Sequence, residues 1–202
     1  MTTSTNFHTD WASLLDDKIE QFIETGTTVL DNCYQMDALQ ALQNESGFID
    51  YKEAKLTHGE RQSSIRGDSI RWIDHDCPAG LAYLDSINEL GAYFNRTLYT
   101  GIRSSEAHYA CYPAGFGYQW HSDNPVGRDE RVISAVFYLN DDWREQDGGQ
   151  ITVINKLGDT VQLLPKLNRL IIFDSNLRHQ VEITHRRRFS IATWLRRDDA
   201  LI

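Results

Sequence analysis

The sequence predicts a mainly β protein of the α+β class, with a closed barrel or jelly roll supported by N-terminal helices. Residues 1–100 show apolar side chains at helical spacing and one long polar loop, whereas short β-rich runs follow one another through 101–202. The 202 residues are enough for one domain with a sizeable core, and they contain no repeat and no Pro/Gly/Ser-rich linker. We therefore assign 1–202 to a single domain.

Composition and charge argue against several classes of protein. The net charge of −9 argues against a nucleic acid partner. No apolar run approaches the ~18 residues that a membrane-spanning helix needs. The start, "MTTSTNFHTDW", lacks the basic and apolar segments of a signal peptide. Three cysteines without a CxxC pair fit neither a disulfide framework nor a zinc cluster. We expect a cytoplasmic, monomeric protein that binds neither nucleic acid nor membrane.

Three helices are predicted in the first half of the chain. Residues 7–25 place apolar side chains at helical spacing, and Gly26 is suited to follow the last turn. A second helix is predicted over 35–44. A third begins after "DCPAG", with Pro78 in its first turn. Its core-facing residues are expected to be Leu81, Leu84, Ile87, Leu90 and Phe94.

Between the second and third helices lies a polar stretch, residues 54–72, with little periodicity before Ile70. One interpretation is an ordinary surface loop. The other is a mobile lid over a functional site, because long loops in compact domains are often functional. The stretch supports both interpretations equally.

Seven short β-rich runs follow from about residue 102 and are separated by turn sequences such as "DGG", "LGD" and "PKLN". The runs are "EAHYACY", "RVISAVFYLN", "QITVI", "TVQLL", "RLIIF", "HQVEI" and "RFSIATWL". Many short strands at such spacing are typical of a closed barrel or jelly roll. The N-terminal helices would then pack on its outside.

Three places in the chain have a histidine two residues before an acidic side chain, and about one is expected by chance. The pair that begins at His8 stands at a helix start, where its aspartate can cap the first turn. The pair that begins at His58 lies in the polar loop. The third, His121 and Asp123 in "GYQWHSDNP", lies in the β-rich half. Residues i and i+2 of a strand share a face, so these two could bind one ligand.

His179, in "NLRHQVEI", can complete a facial triad that binds a metal and leaves positions open for substrate and oxygen. An isolated histidine at a strand end would more often be structural. Two features favour a site instead: Arg188 follows in "RRRFSIATW", and "VFYLN" supplies Tyr138. A buried guanidinium and a tyrosine hydroxyl suit a carboxylate. Together these residues describe a site for a chelating keto acid.

Residues 107–196 resemble the prolyl-hydroxylase branch of the Fe(II)- and 2-oxoglutarate-dependent oxygenases, in particular the hypoxia-inducible-factor prolyl hydroxylases and their bacterial relatives. The resemblance rests on "ACYP", "GYQWHSDNP", "FYLNDDW", "GGQITV", "PKLNRLIIF", "RHQVEI" and "RFSIATW". Upstream, "IRGDSIRWI" and the helix after Pro78 also match. The run from Tyr112 to His121 is one residue shorter than in the animal enzymes.

The resemblance implies a double-stranded β-helix, a jelly-roll or cupin-like barrel, and it assigns roles to three groups of residues. The iron ligands would be His121, Asp123 and His179. The 2-oxoglutarate contacts would be Arg188 and Tyr138 at the distal carboxylate, and Tyr112 at the chelating end. The residues near the substrate would be Asp68, Trp72, Tyr118, Arg131 and Trp194. The loop 54–72 would close over a peptide, with Asp68 and Arg131 pairing in the closed state.

The resemblance further implies a peptidyl-prolyl 4-hydroxylase that uses Fe(II), 2-oxoglutarate and O2, with ascorbate as a reductant, and releases succinate and CO2. The substrate would be a prolyl residue in an exposed loop of another protein. Elongation factor Tu is the first candidate, because bacterial relatives are associated with it. Two alternatives remain open: a hydroxylase of free proline or another small molecule, and a non-catalytic 2-oxoglutarate-binding protein.

Overall fold

The structure, a computed structural model, describes residues 7–53, 65–124 and 126–198. Within these ranges it contains two antiparallel sheets and four α-helices. The helices are α1 Trp11–Leu15, α2 Ile19–Thr25, α3 Met36–Phe48 and α4 Pro78–Leu98, with a 3-10 turn at Asp16–Lys18. Among the helices of this described part, none combines the length and the apolar character that crossing a membrane requires.

The helix ends follow from local hydrogen bonding. Asp10 caps α1 because its carboxylate accepts a hydrogen bond from the Ser13 N–H at 3.2 Å. Gly26 ends α2 in the left-handed region, with a φ of 72°, and its N–H donates to Phe22 O. The predicted helix over 7–25 is therefore two short helices joined by a 3-10 turn.

One face of α4 packs against the larger sheet. Tyr83, Ile87, Leu90 and Phe94 are fully buried, and they fall on one stripe at 100° per residue. Leu81 lies on the opposite side and is 39% exposed, so its predicted place in the core is wrong.

Eleven strands, counted over the described residues, form the two sheets. They are β1 Thr27–Asp31, β2 Lys52–Glu53, β3 Ser69–Trp72, β4 Ser104–Tyr112, β5 Tyr118–His121, β6 Arg131–Tyr138, β7 Ile151–Ile154, β8 Thr160–Leu163, β9 Arg169–Asp174, β10 His179–Val181 and β11 Arg188–Arg196. The larger sheet has the order β1-β9-β6-β11-β4-β3-β2, and the smaller has the order β5-β10-β7-β8. The seven β-rich runs all form strands, which confirms the mainly β prediction.

The two faces of the larger sheet have different partners. On β6, Ile133, Ala135 and Phe137 join the core that contains the helices. Tyr138 points to the other face and packs with Ile151 of the smaller sheet. This alternation follows from the two-residue period of a strand. The space between the two sheets is therefore separate from the helical core.

The polar stretch 54–72 is only partly described. Residues 54–64, including His58, lie outside the described residues. At its end, β3 pairs with β4, with Ser69 opposite Cys111 and Trp72 opposite His108. This part is thus a strand of the larger sheet and not a loop.

Candidate active site

A cavity of about 980 Å³ opens between the two sheets. The larger sheet lines it with alternate residues of β11, at positions 188, 190, 192 and 194. Such spacing places these four side chains on one face of the strand. The smaller sheet contributes His121 and His179 from the opposite side.

His121, Asp123 and His179 come together in this cavity. His121 ends β5 and His179 begins β10, and the two are direct cross-strand partners. The Nε2 atom of His121 is 4.0 Å from one Asp123 carboxylate oxygen, and that of His179 is 3.7 Å from the other. Two ligand atoms that each lie ~2.1 Å from one ion are at most ~4.2 Å apart, so a single ion fits between them.

Asp123 reaches the site from the turn after β5 and not from the strand itself. The argument that i and i+2 share a strand face is therefore wrong for this pair, although the pair does converge. Two contacts position Asp123: its N–H donates to Ser175 O at 3.1 Å, and its carboxylate accepts from the Ser134 hydroxyl at 2.5 Å. Because Ser134 has a single hydroxyl hydrogen, the Ser175 hydroxyl 2.9 Å away donates to Ser134.

Both imidazoles have the tautomer that a metal site needs. The Nδ1 atom of His121 lies 2.7 Å from Gln119 O, and that of His179 lies 3.0 Å from Leu177 O. A carbonyl oxygen only accepts, so Nδ1 carries the hydrogen in each ring. The lone pair of each Nε2 then faces Asp123, as in many sites where a backbone carbonyl orients a ligating histidine.

Electrostatics favours a neutral His121 and an ionised Asp123. Burial, helped by the neighbouring His179, lowers the pKa of His121 to about 4. Burial alone raises the pKa of Asp123, but the two histidines and the Ser134 hydroxyl outweigh it, so this pKa lies below its usual value. These are the protonation states that a divalent cation requires.

Arg188 and two tyrosines occupy the inner end of the cavity. Arg188 is 1% exposed, and its guanidinium carbon lies 5.0 Å from the ring centre of Tyr138 and 5.1 Å from that of Tyr112. Its Nε donates to Gly149 O at 2.9 Å, and its Nη1 to the Ser190 hydroxyl at 3.1 Å. The Arg188 Nη2 and the Tyr138 hydroxyl are buried and have no partner within the described ranges.

Unpaired buried donors cost free energy, and a native protein keeps them where a ligand supplies the acceptor. The Arg188 Nη2 and the Tyr138 hydroxyl together suit one carboxylate. The cavity therefore fits both groups that the sequence predicts, a divalent metal between the histidines and a dicarboxylate keto acid that reaches Arg188. Arg186 and Arg187 are exposed, as expected, and Arg186 stacks on Trp143 at 4.8 Å.

Aromatic rings line the outer part of the cavity. The ring of Tyr118 stacks on that of His121, with centroids 3.6 Å apart and planes at 18°. Trp72 and Trp194 lie 6.1 Å apart, and the His108 ring lies close to both. Trp72, Tyr118 and Trp194 thus lie together with the candidate metal ligands. Their roles toward a substrate stay predictions.

Asp68 and Arg131, which were expected to pair, have other partners. Arg66 forms a bidentate pair with Asp68 at 2.7 and 3.1 Å. Arg131 donates to the Glu106 carboxylate at 2.7 and 3.1 Å and lies over the Trp194 ring at 3.9 Å. Asp68 and Arg131 therefore do not pair here, because each already has an opposite charge in direct contact. Their pairing in the closed state stays a prediction.

Sequence reasoning missed three residues that line the cavity, Arg66, His108 and Ser134, and it also missed Glu106, the partner of Arg131. The Ser134 signal was present in the sequence, since "RVISAVFY" has a single serine amid mainly apolar residues, four positions before Tyr138. On a strand that spacing places Ser134 and Tyr138 on the same face. The other three carry no comparable signal.

The model of the 2OG-Fe(II) oxygenase superfamily matches residues 107–196. The chain is 32% identical over 179 residues to human Prolyl hydroxylase EGLN3, an alignment that covers 84% of this chain and 72% of that protein. It is 34% identical over 171 residues to human Egl nine homolog 1, covering 78% of this chain. The chain spans only 39% of the length of that second relative.

Solved structures show the same fold. A prolyl-4-hydroxylase from Pseudomonas putida superposes with a TM-score of 0.83 at 31% identity, covering 93% of this chain and 99% of that one. A Trichoplax adhaerens prolyl hydroxylase, in complex with a peptide fragment of the hypoxia-inducible-factor oxygen degradation domain, superposes with a TM-score of 0.81 at 27% identity. The superposition covers 88% of this chain and 86% of that one.

These similarities agree with the cavity, which has a His-Asp-His set and a buried arginine at its inner end. They also agree with the double-stranded β-helix that holds both. The chain therefore belongs to the 2OG-Fe(II) oxygenase superfamily.

Proposed function

We propose that this protein is a Fe(II)- and 2-oxoglutarate-dependent dioxygenase that hydroxylates C4 of a prolyl residue in a protein substrate. One observation carries the proposal. A complete His-Asp-His set and the unpaired donors of Arg188 and Tyr138 line the same cavity. The first suits the metal and the second suits the distal carboxylate of the cosubstrate.

Bound Fe(II) and 2-oxoglutarate together supply oxygen activation for C–H hydroxylation, with succinate and CO2 as coproducts. The protein's own residues bind and orient. His121 and His179 offer their Nε2 atoms, and Asp123 offers a carboxylate that Ser134 keeps in place. Tyr138 stays a hydrogen-bond donor, because burial raises the pKa of its hydroxyl. The Tyr112 hydroxyl also stays a donor, because burial raises its pKa well above the usual value.

A protein substrate is supported by the outer part of the cavity and by one relative. Trp72, Tyr118 and Trp194 offer flat apolar walls that suit a pyrrolidine ring. The Trichoplax adhaerens prolyl hydroxylase, similar throughout the fold, has a peptide in its structure. Elongation factor Tu remains the first candidate substrate, and ascorbate the expected reductant. A monomeric, cytoplasmic enzyme belongs to the same proposal, and the three free thiols fit a reducing compartment.

The test incubates the protein with Fe(II), 2-oxoglutarate and ascorbate, together with folded elongation factor Tu, proline-containing peptides from its exposed loops, or free proline. Mass spectrometry detects the gain of one oxygen atom, and succinate release is followed in parallel. We expect hydroxylation of a prolyl residue in the protein or its peptides, and fragmentation should place the oxygen on that residue.

Other outcomes contradict the proposal in distinct ways. Hydroxylation of free proline alone would show a small-molecule enzyme. A preference for lysyl peptides would show a different residue class. Binding of 2-oxoglutarate without any succinate formation would show a non-catalytic protein.

A further inference from the structure

His108 lies in the wall of the cavity but takes part in neither the metal set nor the carboxylate anchor. It is 2% exposed and stands on β4, on the same strand face as Tyr112. The four-residue separation corresponds to about 13 Å along the strand, so His108 stands well away from the inner end. Its ring centroid is 5.1 Å from that of Trp72 and 5.3 Å from that of Trp194.

The imidazole of His108 is neutral. Burial lowers its pKa to about 4, and the guanidinium of Arg66 contributes in the same direction. A neutral imidazole has one donor and one acceptor. Its Nδ1 lies 3.2 Å from Tyr109 O, and a carbonyl oxygen only accepts, so the hydrogen is on Nδ1. The Nε2 atom of His108 is therefore a hydrogen-bond acceptor.

This acceptor has no partner in the described part of the chain, where the Nδ1 contact is the only hydrogen bond of the ring. The charged groups around it are already paired: Arg66 with Asp68, and Arg131 with Glu106. The two indoles beside it offer apolar faces. Nε2 of His108 is thus an acceptor without a partner among the described residues. It lies beside two indole rings and two arginines that are already paired.

A bound peptide brings backbone N–H groups into this wall, and each that leaves water needs an acceptor. Proline itself has no backbone N–H in a peptide, so any such donor comes from a neighbouring residue. We propose that His108 Nε2 accepts a hydrogen bond from the backbone N–H of one residue that flanks the target proline. This inference rests on the proposed function, and it makes His108 a specificity-determining residue for peptides.

The proposal has a consequence for substrate sequence. The flanking position that donates to His108 cannot be a second proline without loss, because that residue would lack the N–H. It is expected to tolerate many other residues, since the recognised group belongs to the backbone.

The test is an ester scan of a peptide that the enzyme hydroxylates. Each backbone amide near the target proline is replaced in turn by an ester, which removes the N–H and leaves the side chain unchanged. With the wild-type enzyme, one position is expected to raise the peptide KM by about 3- to 10-fold, the usual effect of one lost hydrogen bond. The other positions should change it less.

The same peptides are then measured with His108→Phe, which keeps an aromatic ring but removes the acceptor. This variant should raise the KM of the all-amide peptide by a similar factor and make the sensitive ester no worse than the amide, because the two changes remove one interaction. His108→Met, whose thioether sulfur is only a weak acceptor, serves if the phenylalanine variant does not fold. His108→Gln carries a replacement acceptor and should recover part of the loss.

Two results would overturn the inference while leaving the proposed function intact. One is an ester effect that persists at full size in His108→Phe or His108→Met. The other is an ester scan without any sensitive position in the wild-type enzyme. If the wild-type enzyme hydroxylates no peptide or protein, the proposed function fails and the inference about His108 fails with it.

Discussion

The inner and outer parts of the cavity differ in how far the chain pairs its own polar groups. At the inner end, the Arg188 Nη2 and the Tyr138 hydroxyl are buried without a partner among the described residues. At the outer end, Arg66 and Arg131 each contact a carboxylate at 2.7 Å. The inner end is therefore organised for a charged ligand, whereas the outer end is internally neutralised and suits a partner held by stacking and single hydrogen bonds.

Removing a metal ligand should have the largest effect, and it tests the inner part of the cavity. His179→Ala is expected to abolish turnover and to weaken Mn(II) binding by more than about 100-fold, because ligand loss exceeds the effect of losing an outer contact. Electron paramagnetic resonance of Mn(II) measures the binding without turnover. His8→Ala is the matched control, since its side chain is 72% exposed and lies outside the cavity. Equal losses in both variants would contradict the assignment.

The carboxylate anchor comes next. Arg188→Ala should weaken 2-oxoglutarate binding by about 2–5 kcal/mol, because the ligand's carboxylate and Tyr138 both lose their charged partner. In the wild type with Mn(II), 2-oxoglutarate should raise the melting temperature, as any ligand of the folded state does, and this shift should vanish in the variant. Arg187→Ala, at an exposed neighbouring position, should keep it. An unchanged affinity in Arg188→Ala would break the comparison at its inner end.

The support of Asp123 by Ser134 gives a smaller effect at the same end. Ser134→Ala removes the hydroxyl 2.5 Å from the carboxylate and should weaken Mn(II) binding about 10- to 100-fold, the usual range for groups that orient a ligand. Ser105→Ala changes a half-buried serine outside the cavity whose hydroxyl contacts Asn88, and it should leave Mn(II) binding unchanged. If both variants bind Mn(II) as the wild type does, the Ser134 contact does not position the ligand.

The outer end should give the smallest effect. Glu106→Gln removes the charge shared by Arg131 and Arg196, which it contacts at 2.7 and 2.6 Å. Since Arg131 remains stacked on Trp194, we expect the peptide KM to rise only about 2- to 5-fold, as for a partly exposed ion pair. The 2-oxoglutarate KM should not change. Glu20→Gln, on an exposed face of α2, is the control. A larger effect on 2-oxoglutarate than on peptide would reverse the comparison.

The sequence predicts the inner end well and the outer end poorly, for a physical reason. Metal ligands and a buried anchor combine rare residue types with strand positions that point inward, so His179 and Arg188 could be chosen from spacing and context. Charge pairing among surface arginines depends on side-chain reach and on neighbours that are distant in sequence. The partner of Arg131 is Glu106, 25 positions earlier, and no pattern in the chain points to it.

The same distinction holds for the fold. The strands after residue 102 have clear β-rich runs and turn sequences, and all seven formed. The short strands β2 and β3 lie in a polar stretch without periodicity, and their pairing with β4 is set by tertiary contacts. Leu81 was misplaced for another reason. The buried stripe of α4 runs through Tyr83, and Leu81 lies on the opposite side of the helix.

Strand β11 carries Arg188 near one end of the cavity and Trp194 near the other. The strand separates these two residues by about 20 Å, and the two-residue pleat places both side chains on the cavity face. An insertion of one residue between these two would turn one of them away from the cavity toward the helices. The spacing between Arg188 and Trp194, the residues proposed to contact the cosubstrate and the substrate, is thus built into the scaffold.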